Sequence, residues 1–274
     1  MSQRTVFFVS DQTGVTAETM GHSLLTQFSG ADYRTVTLPF VSTLQLAEAA
    51  VERINAVSDA GAPRPIVFAT LVDETIRKAV KRGHCLFLDF FDAFLGPLES
   101  ELEMTSAHTS GRAHGMADLA AYTARINATN FAVANDDGSG SRDYNSADVI
   151  LLGVSRVGKT PTCLYLALQY GVFAANYPLT EEELESGVLP AILRPHQHKL
   201  FGLTISAERL QQIRQERRPD SRYASAMQVQ FEVREALQLF AKLQVPAIDT
   251  TECSIEEISS RILDRLGLER RVRL

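Results

Sequence analysis

Short apolar runs alternate with longer amphipathic stretches along the first hundred residues. Thr5–Val9 (TVFFV) reads as a buried strand that ends at Ser10-Asp11-Gln12-Thr13-Gly14, and Ala17, Met20, Leu24, Leu25 and Phe28 then recur at helical spacing. Thr35–Val41 is a second strand. Ser42 and Gln45 have the spacing of a capping box in front of a helix that places Ala47, Ala50, Val51, Ile54 and Val57 on one face. Pro65–Ala69 predicts a third strand, Asp73–Lys81 a third helix and Cys85–Leu88 a fourth strand. No hairpin signal separates these strands, so crossover helices and parallel pairing are expected.

The middle of the chain breaks this rhythm. Thr105–Gly115 is small, polar and Gly-rich, a helical stretch runs from there to about Val133, and Asn135–Asn145 (NDDGSGSRDYN) is the most loop-like segment. A boundary near Met104 divides the chain into residues 1–104, an N-terminal parallel-sheet α/β domain, and 105–274, a second α/β domain. In the latter, Asp148–Val154, Phe173–Ala175, Lys199–Ile205 and Pro246–Asp249 read as strands. Helices are expected at about Lys159–Tyr170, Glu208–Arg218 and Ser225–Leu243, with capping boxes at Thr180/Glu183 and Ser254/Glu257.

Composition narrows the class. A chain of 274 residues, 45% apolar, with 27 basic and 33 acidic residues, can bury a core and has too little net charge (−6) to stay expanded. The same balance, without a Lys/Arg block, argues against nucleic-acid binding. Three scattered cysteines suggest neither a disulfide framework nor a thiolate metal site. No run of about 18 apolar residues occurs and the N-terminus lacks a signal-peptide pattern, which predicts a soluble cytoplasmic protein without a membrane partner. A homo-oligomer is left open.

One motif carries chemistry. Gly153-Val154-Ser155-Arg156-Val157-Gly158-Lys159-Thr160 satisfies G-x-x-x-x-G-K-[ST] at every fixed position, behind the apolar run ADVILL and ahead of a helical stretch. Two glycines let the chain wrap a phosphate without Cβ clashes, and the following helix N-terminus adds unpaired N–H groups and partial positive charge. Lys159 places an ammonium on the outer phosphates, and the Thr160 hydroxyl is the expected Mg²⁺ ligand. These features predict a P-loop kinase-like domain. Arg156 is a further candidate phosphate ligand.

Such a loop needs an acidic partner, and Asp11, Asp89 and Asp249 each end an apolar strand; equally, an Asp there is often a helix cap or turn former. Asp136 and Asp137, in the loop before the P-loop strand, are candidates for a catalytic base or metal ligand. Arg209, Arg214, Arg217, Arg218 and Arg222 suit either a lid that closes guanidinium groups over phosphate or a salt-bridged solvated helix. His196 and His198 lack a third ligand nearby and read as a polar loop, while His108 and His114 suit a proton relay or no role. No N-K-x-D motif points to a GTPase.

Longer stretches resemble a known family, the bacterial phosphoenolpyruvate synthase regulatory proteins, relatives of the plant regulator of pyruvate, phosphate dikinase. The similarity runs nearly end to end and is carried by VSDQTGVTAETMGHSLLTQF (9–28), VTLPFV (36–41), ADVILLGVSRVGKTPTCLYLA (147–167), AANYPL (174–179), HKLFGLTISAERLQQIRQERRPDSRYAS (198–225) and IDTTECSIEEI (248–258). The resemblance implies a bifunctional enzyme with phosphoenolpyruvate synthase as protein substrate. It would phosphorylate a threonine with ADP as donor, and remove that phosphate by attack of inorganic phosphate, releasing pyrophosphate. It maps ADP binding onto Gly153–Thr160, and Lys159 with Asp11 or Asp137 then carries the chemistry. Two departures stand out: Gln12 replaces the Gly of S-D-G-T-G, and Asn135 replaces the His of H-D-D-G. If that His carries a proton in the family, one direction is expected to suffer. Two other readings compete: an ATP-dependent small-molecule kinase, and a non-catalytic ADP-sensing binding protein.

Overall fold

The computed structural model describes residues 3–107, 119–136 and 143–272. It is α/β throughout, with two four-stranded, wholly parallel sheets. The chain forms two compact units, Met1–Gly115 and Met116–Leu274. The Met104 boundary read from composition falls just after the last helix of the first unit.

In the first unit the strands β1 (Arg4–Ser10), β2 (Tyr33–Leu38), β3 (Ile66–Thr70) and β4 (Leu86–Asp89) lie in the order β2-β1-β3-β4. Helices α1 (Val15–Leu25), α2 (Leu44–Asp59), α3 (Glu74–Val80) and α4 (Phe90–Leu102) follow them. The near-continuous apolar run of β1 is explained by burial on both sides. Phe7 and Val9 pack with Ala47, Ala50 and Ile54 of α2, whereas Val6 and Phe8 pack with Ala17 and Leu25 of α1. Phe8, Phe68 and Phe90 form a stacked aromatic row on that second face.

Three local expectations shift. The helix α2 is capped by Thr43, whose hydroxyl accepts from the Leu46 N–H, so the Ser42/Gln45 box does not form. Strand β2 stops at Leu38 because Phe40 takes a left-handed turn (φ 58°) and Val41 N–H donates to the Ser10 carbonyl. Helix α4, unmarked in the sequence pattern, runs through Gly96-Pro97; its N-cap is Asp89.

The second unit repeats the arrangement. Its strands β5 (Val149–Gly153), β6 (Ala174–Pro178), β7 (Leu200–Thr204) and β8 (Ala247–Asp249) lie in the order β6-β5-β7-β8. Helix α5 (Leu119–Ala134) packs on α6 (Lys159–Tyr170), which also meets α10 (Ile255–Leu266). Helix α9 (Ala226–Leu243) packs on β7 and touches α7 (Glu181–Ser186) and α8 (Ala207–Arg217). The Thr180/Glu183 box forms reciprocally, and Ser254 caps α10 by accepting from Glu257 N–H. The central strand β5 is fully buried and delivers its C-terminal end into the loop that opens α6. Among the described residues, no helix is long and apolar enough to cross a membrane.

The approach of α1 to its sheet rests on Gly21, where a Cβ would lie 2.6 Å from the Phe8 ring and 2.7 Å from that of Phe68. Gly21→Ala is therefore expected to destabilise the chain by about 1–2 kcal/mol, overpacking outweighing the gain in helix propensity. The urea midpoint checks it; an unchanged or higher midpoint contradicts the close packing.

Candidate functional site

The site is built where β5 turns into α6. At Gly153 a Cβ would fall 2.5 Å from the Leu203 carbonyl oxygen and 2.8 Å from Val157, so the neighbouring strand leaves no room for a side chain. Gly158 starts α6 from a left-handed conformation (φ 95°), which glycine adopts freely. Arg156 is also left-handed (φ 80°), a strain of about 1–2 kcal/mol for a residue with a Cβ.

The loop's carbonyls are anchored while its amides are not. The Gly153 carbonyl accepts from Leu179 N–H (3.1 Å). The Ser155 carbonyl accepts from the Arg214 guanidinium (3.1 Å), and that of Val157 from the Thr250 hydroxyl (3.2 Å). Among the described residues, the N–H groups of Ser155, Arg156 and Gly158 donate to no carbonyl. In a planar trans peptide the C=O and the next N–H point opposite ways, so fixing carbonyls outward turns amides into the loop. Lys159 is buried, its ammonium donating to the Val154 carbonyl at 3.0 Å.

The acidic partner of Thr160 is Asp136. The Thr160 hydroxyl donates to Asp136 Oδ1 at 2.8 Å, and the Asn176 amide from β6 donates to the same oxygen and to Thr160 Oγ1 (3.2 Å). Asn176 is 2% exposed, and its Oδ1 is buried without a hydrogen-bond partner. Asn135 holds this corner: its Nδ2 donates to Phe131 O, its Oδ1 accepts from Asp143 N–H, and its carbonyl accepts from Asn176 N–H. Asp137, the neighbouring candidate, lies outside the described residues, as do His108 and His114.

The other expected carboxylates have local partners. Asp11, in the first unit, is buried and accepts from Val72 N–H at 3.2 Å. Asp89 caps α4 by accepting from Asp92 N–H. Asp249 accepts from the Thr251 N–H and hydroxyl, as a turn former does. His196 packs edge-on against Tyr144, and the described residues hold no group of three His, Cys, Asp or Glu placed to bind a metal.

The arginine cluster divides. Arg214 is no lid residue: its side chain is fully buried, ion-paired with Glu232 (2.6 Å), bonded to the Tyr223 carbonyl (3.0 Å) and stacked on the Tyr223 ring. Tyr223 in turn shares a hydrogen bond with the Ser155 hydroxyl at 2.9 Å. Arg222 pairs with Glu181. Arg217, one turn beyond Arg214, is exposed and lines a cavity of about 410 Å³ together with Ser155, Arg156, Gly158, Lys159 and Thr160. Asn176, Thr250 and Tyr223 escaped the sequence reading; all three lay in stretches that carry the resemblance, with no local signal of their role.

Comparison with known proteins agrees over the whole length. The model of the kinase/pyrophosphorylase family matches residues 6–263. A Legionella pneumophila (strain Corby) protein is 52% identical over 270 residues, 98% of this chain and 100% of the relative; one from Alkalilimnicola ehrlichii is 51% identical over 271, 99% and 98%. A Pseudomonas fluorescens protein is 49% identical over 269, covering 98% and 99%. The names of all three describe phosphoenolpyruvate synthase regulatory proteins. Among solved structures, allantoin racemase from Klebsiella pneumoniae aligns over 98% of this chain and 90% of that one, at 16% identity and a TM-score of 0.23, too low to bear on fold or function.

Two stability tests follow from these buried charges. Arg214→Met leaves Glu232 without its cation and is expected to cost about 3–5 kcal/mol in denaturant unfolding, whereas Arg214→Met with Glu232→Leu loses less. Burial pushes the Asp89 carboxyl up, opposed by the Asp92 N–H and by Arg77. A raised carboxyl penalises the folded chain as pH climbs above the unfolded value of about 3.9, and the penalty is absent below it. Asp89→Asn, which keeps the capping oxygen, is thus expected to raise the melting temperature at pH 7 and to match the parent chain at pH 3; a lower melting temperature at pH 7 contradicts this.

Proposed function

The chain belongs to the kinase/pyrophosphorylase family, and from that premise we propose that it is a bifunctional regulator of phosphoenolpyruvate synthase. It transfers the β-phosphoryl group of ADP to a threonine of the synthase, leaving AMP. It also removes that phosphate with inorganic phosphate, forming pyrophosphate. The observation that carries this reading is a complete phosphate loop whose Ser155, Arg156 and Gly158 amides donate to no carbonyl among the described residues and whose Lys159 sits within the same cradle.

Both directions move a phosphoryl group between a threonine oxygen and a second phosphate, so one cradle serves both. The amides of Ser155, Arg156 and Gly158 and the Lys159 ammonium bind the phosphate oxygens and offset the charge that spreads over them in flight. In the ADP direction the threonine hydroxyl loses its proton to a carboxylate. Asp137, next in sequence to the Thr160 partner Asp136, is the candidate for this, whereas Asp11 already accepts from Val72 N–H. In the reverse direction the P–O bond to threonine breaks, its electron pair stays on the threonine oxygen, and the proton of the incoming hydrogen phosphate moves there. The charges balance, and no strong base is needed.

The residues fit a magnesium ion. The Thr160 hydroxyl and the Asp136 carboxylate are hard oxygen donors in direct contact where α6 begins. Bound there, Mg²⁺ would neutralise phosphate charge. Asn176 holds Asp136 toward Thr160.

The direct test incubates the chain with phosphoenolpyruvate synthase and ADP and looks for phosphothreonine by mass spectrometry, then adds phosphate and assays pyrophosphate. Transfer only from ATP to a metabolite, or inhibition of the synthase with no added mass, overturns the reading. Lys159→Ala is expected to lower both rates at least about 100-fold; survival of one at the parent rate refutes the shared cradle. Asp136→Asn is expected to raise the half-saturating Mg²⁺ concentration at least about tenfold.

A further inference from the structure

The arginines of this region sort by what they touch. Arg214 is consumed beneath the loop and Arg222 in its pair with Glu181, while Arg209 donates to Gln212. Arg218 ends α8 and is not part of the cavity wall. Arg156 and Arg217 are left. Both are exposed, both line the cavity over the phosphate loop, and among the described residues neither forms an ion pair. They come from different elements, the loop apex and the outer turn of α8, and Arg156 is held in a left-handed backbone that glycine would fill at lower strain.

We infer that Arg156 and Arg217 form a second anion subsite at the mouth of the cradle, which takes the free phosphate that attacks the phosphothreonine. This rests on the bifunctional reading above. The inner cradle of amides and Lys159 neutralises one phosphate group. Phosphorolysis must bring a second, of charge near −2 at neutral pH, to bonding distance of the first. In ADP the two phosphates are already joined, so that repulsion is prepaid by the covalent bond. The pair of guanidinium groups therefore matters most where two separate anions meet. Their planar donors suit a tetrahedral oxyanion, and among the described residues neither is tied up by a carboxylate.

The test uses the full chain and four proteins: parent, Arg217→Gln, Arg156→Gly and the control Arg218→Gln. Arg156→Gly suits the left-handed backbone, so misfolding does not mask its effect. Two readouts are taken, pyrophosphate binding by titration calorimetry and the half-saturating concentrations of phosphate and ADP with the synthase as substrate. Arg217→Gln and Arg156→Gly are expected to weaken pyrophosphate binding at least tenfold. They should also raise the half-saturating phosphate concentration by a factor several times larger than that for ADP. Arg218→Gln should stay within twofold of the parent in both. Equal losses for phosphate and ADP, or parent-like pyrophosphate binding in both variants, overturn the subsite. A parent chain that binds pyrophosphate in an Arg217-dependent way yet transfers nothing to threonine overturns the bifunctional reading and leaves the subsite standing.

Discussion

The outward tethering of the phosphate loop's carbonyls is the constraint on which the site depends. Peptide planarity converts three bonds made behind the loop, from Leu179, Arg214 and Thr250, into a set of amides facing the other way. Each tether comes from a different part of the second unit: the end of β6, helix α8 and the turn after β8. The cradle is thus a product of the whole fold of that unit. The most demanding tether is Arg214, a buried cation that must bring its own anion. Glu232 supplies it, held in turn by Gln228, and the Tyr223 ring covers the guanidinium face. Such a pair adds little net stability. What it gives is a loop carbonyl with one permitted direction.

The two units show how little of this topology alone decides. Both sheets have the order second-first-third-fourth, and both deliver the first strand through a glycine turn into a helix. In the second unit the turn is long enough to wrap a phosphate and carries Lys159 and Thr160. In the first, the Thr70 hydroxyl donates to that of Ser10, and Asp11 accepts from the Val72 N–H. The same architecture frames a chemically different turn.

What could be read from the sequence was what is local. The Thr180/Glu183 box, the strand before the loop and the loop itself depend on residues within a few positions of one another, and all lie where expected. Helix α4 was hidden because Gly96-Pro97 reads as a break, yet the helix begins only seven residues earlier at Phe90. Ser42 lost the cap to Thr43 by one residue, a margin that spacing alone does not resolve. Contacts across long separations were invisible. Choosing Asp136 as the partner of Thr160 over its neighbour requires knowing where β6 puts Asn176, 40 residues away. Both readings of the arginines, a lid and a salt-bridged solvated helix, put Arg214 in solvent, because five arginines in a polar stretch suggest exposure. Only the packing of α8 on α9 shows that its side of the helix is the covered one.

That same corner decides how the departure at position 135 should be weighed. Asn135 departs from the H-D-D-G pattern of the resemblance, where a histidine would be the proton carrier and its loss would impair one direction of transfer. Its surroundings argue otherwise. The side chain is 3% exposed, with one polar end bonded to the Phe131 carbonyl (2.9 Å) and the other to Asp143 N–H (2.7 Å). These partners lie on the two sides of residues 137–142, so the side chain ties the exit of α5 to the approach of β5. A group whose both ends are spent on backbone is a poor proton carrier, and an amide is none at all near neutral pH. Asn meets the geometric demand with a donor and an acceptor, as a neutral imidazole would. The position is therefore one of placement, aligning Asp136 and Asn176 beside Thr160.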